Sequence, residues 1–223
     1  MQACKISQMY DLKETIAGEI FAGREYPWEI LDDIGDFIMK LGATLDPDRY
    51  EKRGENIWIA RSASVDPSAH ITGPCIIDER TEVRPGAFIR GKAIVGKNCV
   101  VGNSTELKNV ILFNVVQVPH YNYVGDSVLG FHSHMGAGSI TSNVKSDKSL
   151  VVIKAGEERI ETGRKKLGAM LGDYVEVGCN SVLNPGTVIC PHSNIYPLSS
   201  VRGVVPARSI FKSGKGTQIV AKD

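Results

Sequence analysis

From Ile59 to Leu107 a branched aliphatic residue returns at every sixth position: Ile59, Val65, Ile71, Ile77, Val83, Ile89, Val95, Val101 and Leu107. Four residues after each stands a small one, Ala63, Ala69, Cys75, Thr81, Ala87, Ala93, Cys99 and Thr105, until the larger Ile111. The beat resumes at Leu129 and Met135, and again at Leu171, Val177, Leu183, Ile189, Ile195 and Val201. A period of six is neither the period of about 3.6 of a helix nor the plain alternation of hairpin strands. Fixed short repeats signal solenoids, and a hexapeptide repeat signals a parallel β-helix. The expected fold is therefore mainly β, with three hexapeptides closing one triangular coil.

Each aliphatic residue of the beat should point into the prism and stack on its counterpart one coil on. Ile59, Ile77 and Val95 form one such ladder, and Val65, Val83 and Val101 a second. The residue four places later also faces inward, near a corner, and is small for that reason. Glycine and proline punctuate several corners (Gly73-Pro74, Pro85-Gly86, Pro185-Gly186), as tight turns require. A coil buries its core face only against its neighbours, so stability is roughly a sum of nearest-neighbour terms. The pattern resembles the hexapeptide-repeat transferases, and that resemblance implies a left-handed β-helix; the period alone does not reveal the hand.

Residues 1 to about 56 lie outside the beat. Pro27 suits a first helical turn, and Trp28, Leu31, Ile34, Phe37, Ile38 and Leu41 recur at helical spacing. A shorter helix is expected around Leu12 to Phe21. This segment reads as a short helical N-terminal cap over the open first coil, since solenoid ends need covering. The β-helix spans 57–205, with loop insertions at about 109–123 and 144–170, and 206–223 form a C-terminal tail that begins as Pro206 ends the repeat. The second insertion, polar and rich in Lys and Glu, suggests a hairpin around Gly156 held by few apolar contacts. Loops expelled from a rigid solenoid commonly carry function.

A formal net charge of +1 gives no argument for nucleic acid or an anionic membrane surface. No run approaches the ~20 apolar residues of a spanning helix. The first thirty residues lack the pattern of a signal peptide. The five cysteines (Cys4, Cys75, Cys99, Cys179, Cys190) are scattered without ligand-like spacing, and reduced thiols fit a cytoplasmic protein.

Reactive side chains are densest around the first break: Glu106-Leu107-Lys108, His120, Tyr123, Gly125-Asp126, then His134 through Asn143. His120, stiffened by Pro119, is the natural base for an amine or hydroxyl nucleophile. Arg84, Lys108 and Lys166 could hold a phosphate. Gly136-Ala137-Gly138 removes side-chain bulk, so a long flexible ligand can approach the backbone. At these residues, H-Y-N-Y-V-G-D followed by M-G-A-G-S-I-T-S-N, the sequence resembles the acetyltransferase domain of the bifunctional uridyltransferase/acetyltransferase enzymes that make UDP-N-acetylglucosamine. The resemblance covers about 59–205 and is specific between 84 and 143.

That resemblance implies a catalytic His120 with Glu106 nearby, and a sugar phosphate held by Arg84, Lys108, Tyr123, Asn143, His134 and Lys166. It implies an acetyl-CoA groove lined by Ala137, Cys179 and Pro197, and a homotrimer with sites between subunits. His134 stands where that family has Asn, and Cys179 and Pro197 replace small groove residues. No glycine-rich phosphate loop precedes the repeat, so nucleotidyl transfer is not expected. His132 and His134 form an H-x-H pair that zinc could use, but the third ligand would have to be His120 at an unsuitable spacing; no metal is expected. The run 164–166 reads as a solvated turn or an anion clamp. Two functions remain: an acyl-CoA-dependent transferase acting on an amino sugar or its phosphate, and a non-catalytic sugar-nucleotide-binding or assembly module.

Overall fold

In a computed structural model, which describes residues 2–213 and 218–221, the aliphatic beat forms the core. Ile59, Ile77 and Val95 are stacked partners in adjacent parallel strands, as are Val65, Val83 and Val101, and Ile71, Ile89 and Leu107. These ladders define three walls of a β-solenoid. The first wall contains Ile57–Ala60, Cys75–Ile77, Ala93–Val95, Ala169–Leu171 and Thr187–Ile189. The second contains Glu82–Val83, Val100–Asn103, Gln117–His120, His134–Met135 and Glu176–Val177. The third contains His70–Ile71, Phe88–Ile89, Ile140–Thr141 and Val182–Leu183.

Residues 109–123 are not a loop expelled from the wall. Strands Glu106–Leu112 and Tyr123–Leu129 each run from the third wall into the first and pair with one another in parallel. The beat steps by five instead of six twice, from Leu107 to Leu112 and from Val124 to Leu129, because the corner between these walls loses one residue. Where the preceding coil turns on Gly91 and Lys92, both at positive φ, these coils turn on Asn109 (φ 55) and Asp126 (φ 49) alone. The frame slips with it: Val110 takes the small inward slot opposite Ala93, and Ile111 faces outward opposite Ile94. A short polar side chain tolerates the left-handed conformation better than most, which suits Asn and Asp to a one-residue corner.

The N-terminal segment does more than cap the first coil. The outward-facing ladder of the first wall is itself apolar, running Ile76, Ile94, Ile111, Val128, Met170 and Val188, and every member is buried. Burying each such side chain is worth roughly 1.5–3 kcal/mol. The segment lies over this wall, from Ala3 O near Cys190 Sγ, through Met9 O accepting from the Asp173 amide, to Glu14 O accepting from the Asn114 amide. Helix Ile34–Gly42 continues along it, and the Trp58 ring packs where a Cβ on Gly42 would sit. Tyr50–Lys52, antiparallel to Ile57–Ala60, closes the exposed edge of the first coil. The expected Leu12–Phe21 helix is two 3₁₀ turns, Leu12–Glu14 and Gly18–Phe21. Thr15 Oγ1 accepts from the Ala17 amide between them, a local bond that competes with helix continuation.

Asp173 pins this segment. Its carboxylate accepts from the backbone amides of Asp11 (2.7 Å) and Phe131 (2.8 Å), and burial pushes it up to about 6. An unfolded aspartate titrates near ~3.9. Between these two values the folded chain holds more protons than the unfolded one, so this group's contribution falls as pH rises from about 4 to 6 and is constant above. Two pKa units correspond to about 3 kcal/mol. Urea midpoints of wild type and Asp173→Asn, measured between pH 4 and 7, should therefore converge at low pH and separate with rising pH. Parallel curves would refute the assignment.

The 144–170 insertion does hold an antiparallel hairpin, Val152–Ala155 with Glu158–Glu161, turning at Gly156. It is not poor in apolar contacts: Val151, Ile153 and Leu167 are buried in the main core, and Val151 packs where a Cβ on Gly186 would sit. The solenoid continues past Pro206, since Ser209–Lys212 pairs in parallel with Asn194–Ile195, and Gln218–Ala221 then pairs antiparallel with Ser209–Lys212. Residues 214–217 and 222–223 of the expected tail lie outside the described residues.

Candidate active site

The corner between the second and third walls turns in each coil on one left-handed residue: Ser104, Tyr121, Gly138, Asn180 and Leu198. The amide of Gly138 donates to His120 O (3.0 Å), that of Asn180 to Ala137 O (2.8 Å), and that of Leu198 to Cys179 O (2.9 Å). His120, Ala137, Cys179 and Pro197 therefore stand in single file, one per coil, at the ~4.8 Å spacing of paired strands. The catalytic candidate and all three groove candidates share one edge. Beside this file run Gly102, Pro119, Gly136 and Gly178. A Cβ on Gly136 would lie 2.7 Å from Cys179 N, and one on Gly178 2.4 Å from Pro197 N. Close stacking of the coils thus requires glycine there, which leaves the strip bare.

His120 is exposed, and its imidazole makes no hydrogen bond or ion pair among the described residues. Its backbone is fixed instead. The His120 amide donates to Asn122 Oδ1 (3.1 Å), while buried Asn122 donates through Nδ2 to Gly136 O (2.9 Å) and Ser139 O (3.0 Å). Asn122 is thus a strut between coils that the sequence pattern did not single out.

Across the third wall, at its far corner, lies a second cluster. Asp126, 4% exposed, accepts from Lys108 Nζ (3.2 Å to both oxygens), Asn109 Nδ2 (2.9 Å) and Asn143 Nδ2 (2.6 Å). Asn143 Nδ2 also donates to Tyr123 Oη at 3.1 Å. Burial raises the Tyr123 hydroxyl, and the Asp126 charge adds to it. One coil earlier Arg90 pairs with Glu106 at 2.7 Å. The structure therefore brings Lys108, Tyr123 and Asn143 together around Asp126, with Glu106 on the same wall. Arg90, eighteen residues before Lys108, is the arginine in their column. Arg84 stands at the opposite edge of that wall, paired with Glu82 at 3.0 Å. His134 lies on the second wall, its Nδ1 2.8 Å from Glu176 Oε2.

Next to Lys108 the corner opens into a cleft of ≈ 570 Å³. The insertion contributes Thr162 to Lys166, the N-terminal segment Leu31 and Asp32, and the solenoid Lys92, Lys108, Asn109 and Asp126. Arg164 bridges its walls, donating to both oxygens of Asp32 at 2.9 and 2.5 Å, and this holds the Asp32 carboxyl below the ordinary aspartate range. Arg164, Lys165 and Lys166 thus line a cavity. His132 stacks on Tyr174, ring centroids 5.4 Å apart, with Tyr174 stacked in turn on His192. Among the described residues no group of three or more His, Cys, Asp or Glu is placed to hold a metal. No described helix is long and apolar enough to cross a membrane.

A solenoid of three parallel walls on a hexapeptide period defines a hexapeptide-repeat protein. Residues 71–202 match the GMPPB C-terminal domain, and the chain belongs to that family. It is 32% identical over 192 residues to the bifunctional sugar-1-phosphate nucleotidylyltransferase/acetyltransferase of Sulfurisphaera tokodaii, covering 83% of this chain and 47% of the relative. It is 33% identical over 188 residues to the bifunctional protein GlmU of Methanococcus maripaludis, covering 76% and 42%. The chain thus spans about half the length of the curated relatives it matches. Among solved structures, a hexapeptide transferase family protein of Anaplasma phagocytophilum aligns at 16% identity and TM-score 0.40, covering 72% of this chain and 79% of that one. PerB of Caulobacter crescentus, solved with CoA and GDP-perosamine, aligns at 17% and 0.35, covering 74% and 57%.

Proposed function

We propose that this chain is an acyl-CoA-dependent acyltransferase, with acetyl-CoA as donor and an amino sugar or amino-sugar phosphate such as glucosamine-1-phosphate as acceptor. The observation that carries this reading is the file His120, Ala137, Cys179 and Pro197 down one edge, with Lys108, Tyr123 and Asn143 across the adjoining wall. The bare strip at Gly136 and Gly178 suits an extended pantetheine arm beside that file. The printed name of the Sulfurisphaera relative supports the same class. Since the chain matches about half of that protein, which activity it shares belongs to the proposal: acyl transfer.

In this reading His120 accepts a proton from the acceptor amine as its nitrogen attacks the thioester carbon. The N–C bond forms, the C–S bond breaks, and the departing thiolate of CoA takes up a proton. An amide and a free thiol result. Lys108 and Lys166 supply charge for the phosphate, Tyr123 and Asn143 hydrogen bonds for the sugar, and Glu106 orients Arg90 toward the same phosphate. Five unpaired cysteine thiols fit a cytoplasmic setting.

The assembly is read as a homotrimer. The His120 imidazole lacks an orienting partner among the described residues, and its edge exposes Tyr121 (66%) and Leu198 (75%), an apolar surface that a second copy would cover. Arg84 and His134 would join such a site from a neighbouring copy. The N-terminal segment occupies the first wall, so contacts between copies use the other two. Light scattering should give three times 24.2 kDa, about 73 kDa; a monomer at micromolar concentration would refute the trimer. For the activity, acetyl-CoA and a panel of amino sugars should release free thiol only when acceptor and enzyme are both present. Absence of acceptor-dependent release, with sugar ligands still bound, would leave the binding-module function instead.

A further inference from the structure

The cleft beside Lys108 carries more positive charge than a single phosphate at the wall's end can use. Lys108 is taken up by Asp126, and Arg164 by Asp32. Lys165 and Lys166 line the same cavity with no ion-pair partner among the described residues. Lys92 shares the Asp32 carboxylate with Arg164. The cavity thus sets five cationic side chains, Lys92, Lys108, Arg164, Lys165 and Lys166, against two carboxylates, Asp32 and Asp126; an anion relieves that excess.

Their placement is built rather than incidental. Lys92 is a left-handed corner residue (φ 50), one coil before Asn109. Its aliphatic stem lies against Gly35 of helix Ile34–Gly42, where a Cβ would come within 3.2 Å of Lys92 Cε. The missing side chain therefore admits the lysine into the cleft. Lys165 comes from the opposite side, on the irregular segment that leads back from the insertion after Glu158–Glu161, next to the Arg164 tied to the N-terminal segment. Arg90 and Lys108 lie on the flat third wall; Lys92 and Lys165 lie around the corner from them. A ligand meeting both pairs must be anionic at two adjacent points. The cavity volume of ≈ 570 Å³ also falls in the range of pockets that enclose a whole small ligand.

We infer that the cleft is a diphosphate site, and that the acceptor is a nucleoside-diphosphate-linked amino sugar whose first phosphate meets Lys108 and whose second meets Lys92 and Lys165. The sugar end of this inference rests on the acyltransferase reading. The diphosphate end rests on the cleft alone.

Binding without acetyl-CoA separates the two. Calorimetric titration with UDP-N-acetylglucosamine and with N-acetylglucosamine-1-phosphate should show the diphosphate ligand bound at least roughly tenfold more tightly, as one charge-assisted contact is commonly worth. Lys92→Ala and Lys165→Ala, both at exposed positions, should each remove about that factor for the diphosphate ligand. Both should leave the monophosphate within about twofold, with unchanged melting temperatures, and Lys92→Arg should restore binding. Equal wild-type affinities, or variants that weaken both ligands alike, would overturn the diphosphate site. Retained diphosphate binding without thiol release from any acceptor would overturn the acyltransferase reading and leave the site standing.

Discussion

His120→Ala is expected to lower acetyl transfer ~10²–10⁴-fold, the usual cost of removing a general base, while the protein keeps its melting temperature. The stability half follows from exposure and from the absence of any imidazole hydrogen bond among the described residues. What fixes residue 120 is its backbone amide on Asn122, and alanine retains that bond. The loss should appear in kcat more than in KM for the sugar, whose proposed contacts, Lys108, Tyr123 and Asn143, lie across the wall. Cys179→Ser is the matching control. Cys179 is the one exposed cysteine and stands two coils below His120 in the same file; in a direct transfer it lines the groove and serine retains turnover. Steady-state thiol release with the amino-sugar acceptor that the wild-type protein turns over fastest checks both variants. Wild-type rates in His120→Ala would sink the mechanism, and a dead Cys179→Ser would point to an acyl-enzyme instead.

The core was legible because the period is strict wherever a coil has eighteen residues. From Ile59 to Leu107 every aliphatic position lies in a ladder, in the register the beat demands. Legibility failed where one residue was lost. A five-residue step at Leu107–Leu112 and again at Val124–Leu129 looks like a broken repeat, yet both strands remain in the wall. That same shortening makes Asn109 and Asp126 the corner residues and brings Lys108 and Asn143 onto one carboxylate.

The column rule also places the arginines. Lys108 lies eighteen residues after Arg90 and twenty-four after Arg84, so the period alone puts Arg90 in its column. The apolar outward ladder of the first wall was visible too: Ile76 and Ile94 sit midway between two inward positions, and an apolar residue there predicts a covered face. What covers it could not be read, because the segment's 3₁₀ turns and one short helix have no strong period. The cleft was out of reach for a related reason. Leu31, Lys92, Lys108 and Lys165 are distant in sequence, and no pattern links the insertion to the N-terminal segment.

Gly102→Ala is expected to be the most damaging small substitution in the solenoid. A Cβ at residue 102 would lie 1.6 Å from Pro119 O and 2.0 Å from its carbonyl carbon. Those are backbone atoms, so no rotamer change relieves the overlap, and the two coils must separate. Overpacking that moves backbone belongs to the severe end of single substitutions, about 3–5 kcal/mol. For a chain of this size that is a fall in melting temperature of roughly 10 °C. Since coils are held mainly by their neighbours, a gap between two of them weakens the stack on both sides. Gly156→Ala is the contrasting case. Gly156 has φ +60 and nothing within 4 Å of its added Cβ, so the cost is conformational strain alone, about 1–2 kcal/mol. Gly102 also packs beneath the residue that precedes His120. Displacing Pro119 moves the base, and misplacement of a catalytic group by about 1 Å can cost ~10²-fold in rate. Thermal unfolding and thiol release on Gly102→Ala and Gly156→Ala test both consequences. If Gly102→Ala melts within about 3 °C of wild type, the coils are not packed against each other at Pro119 as the structure places them.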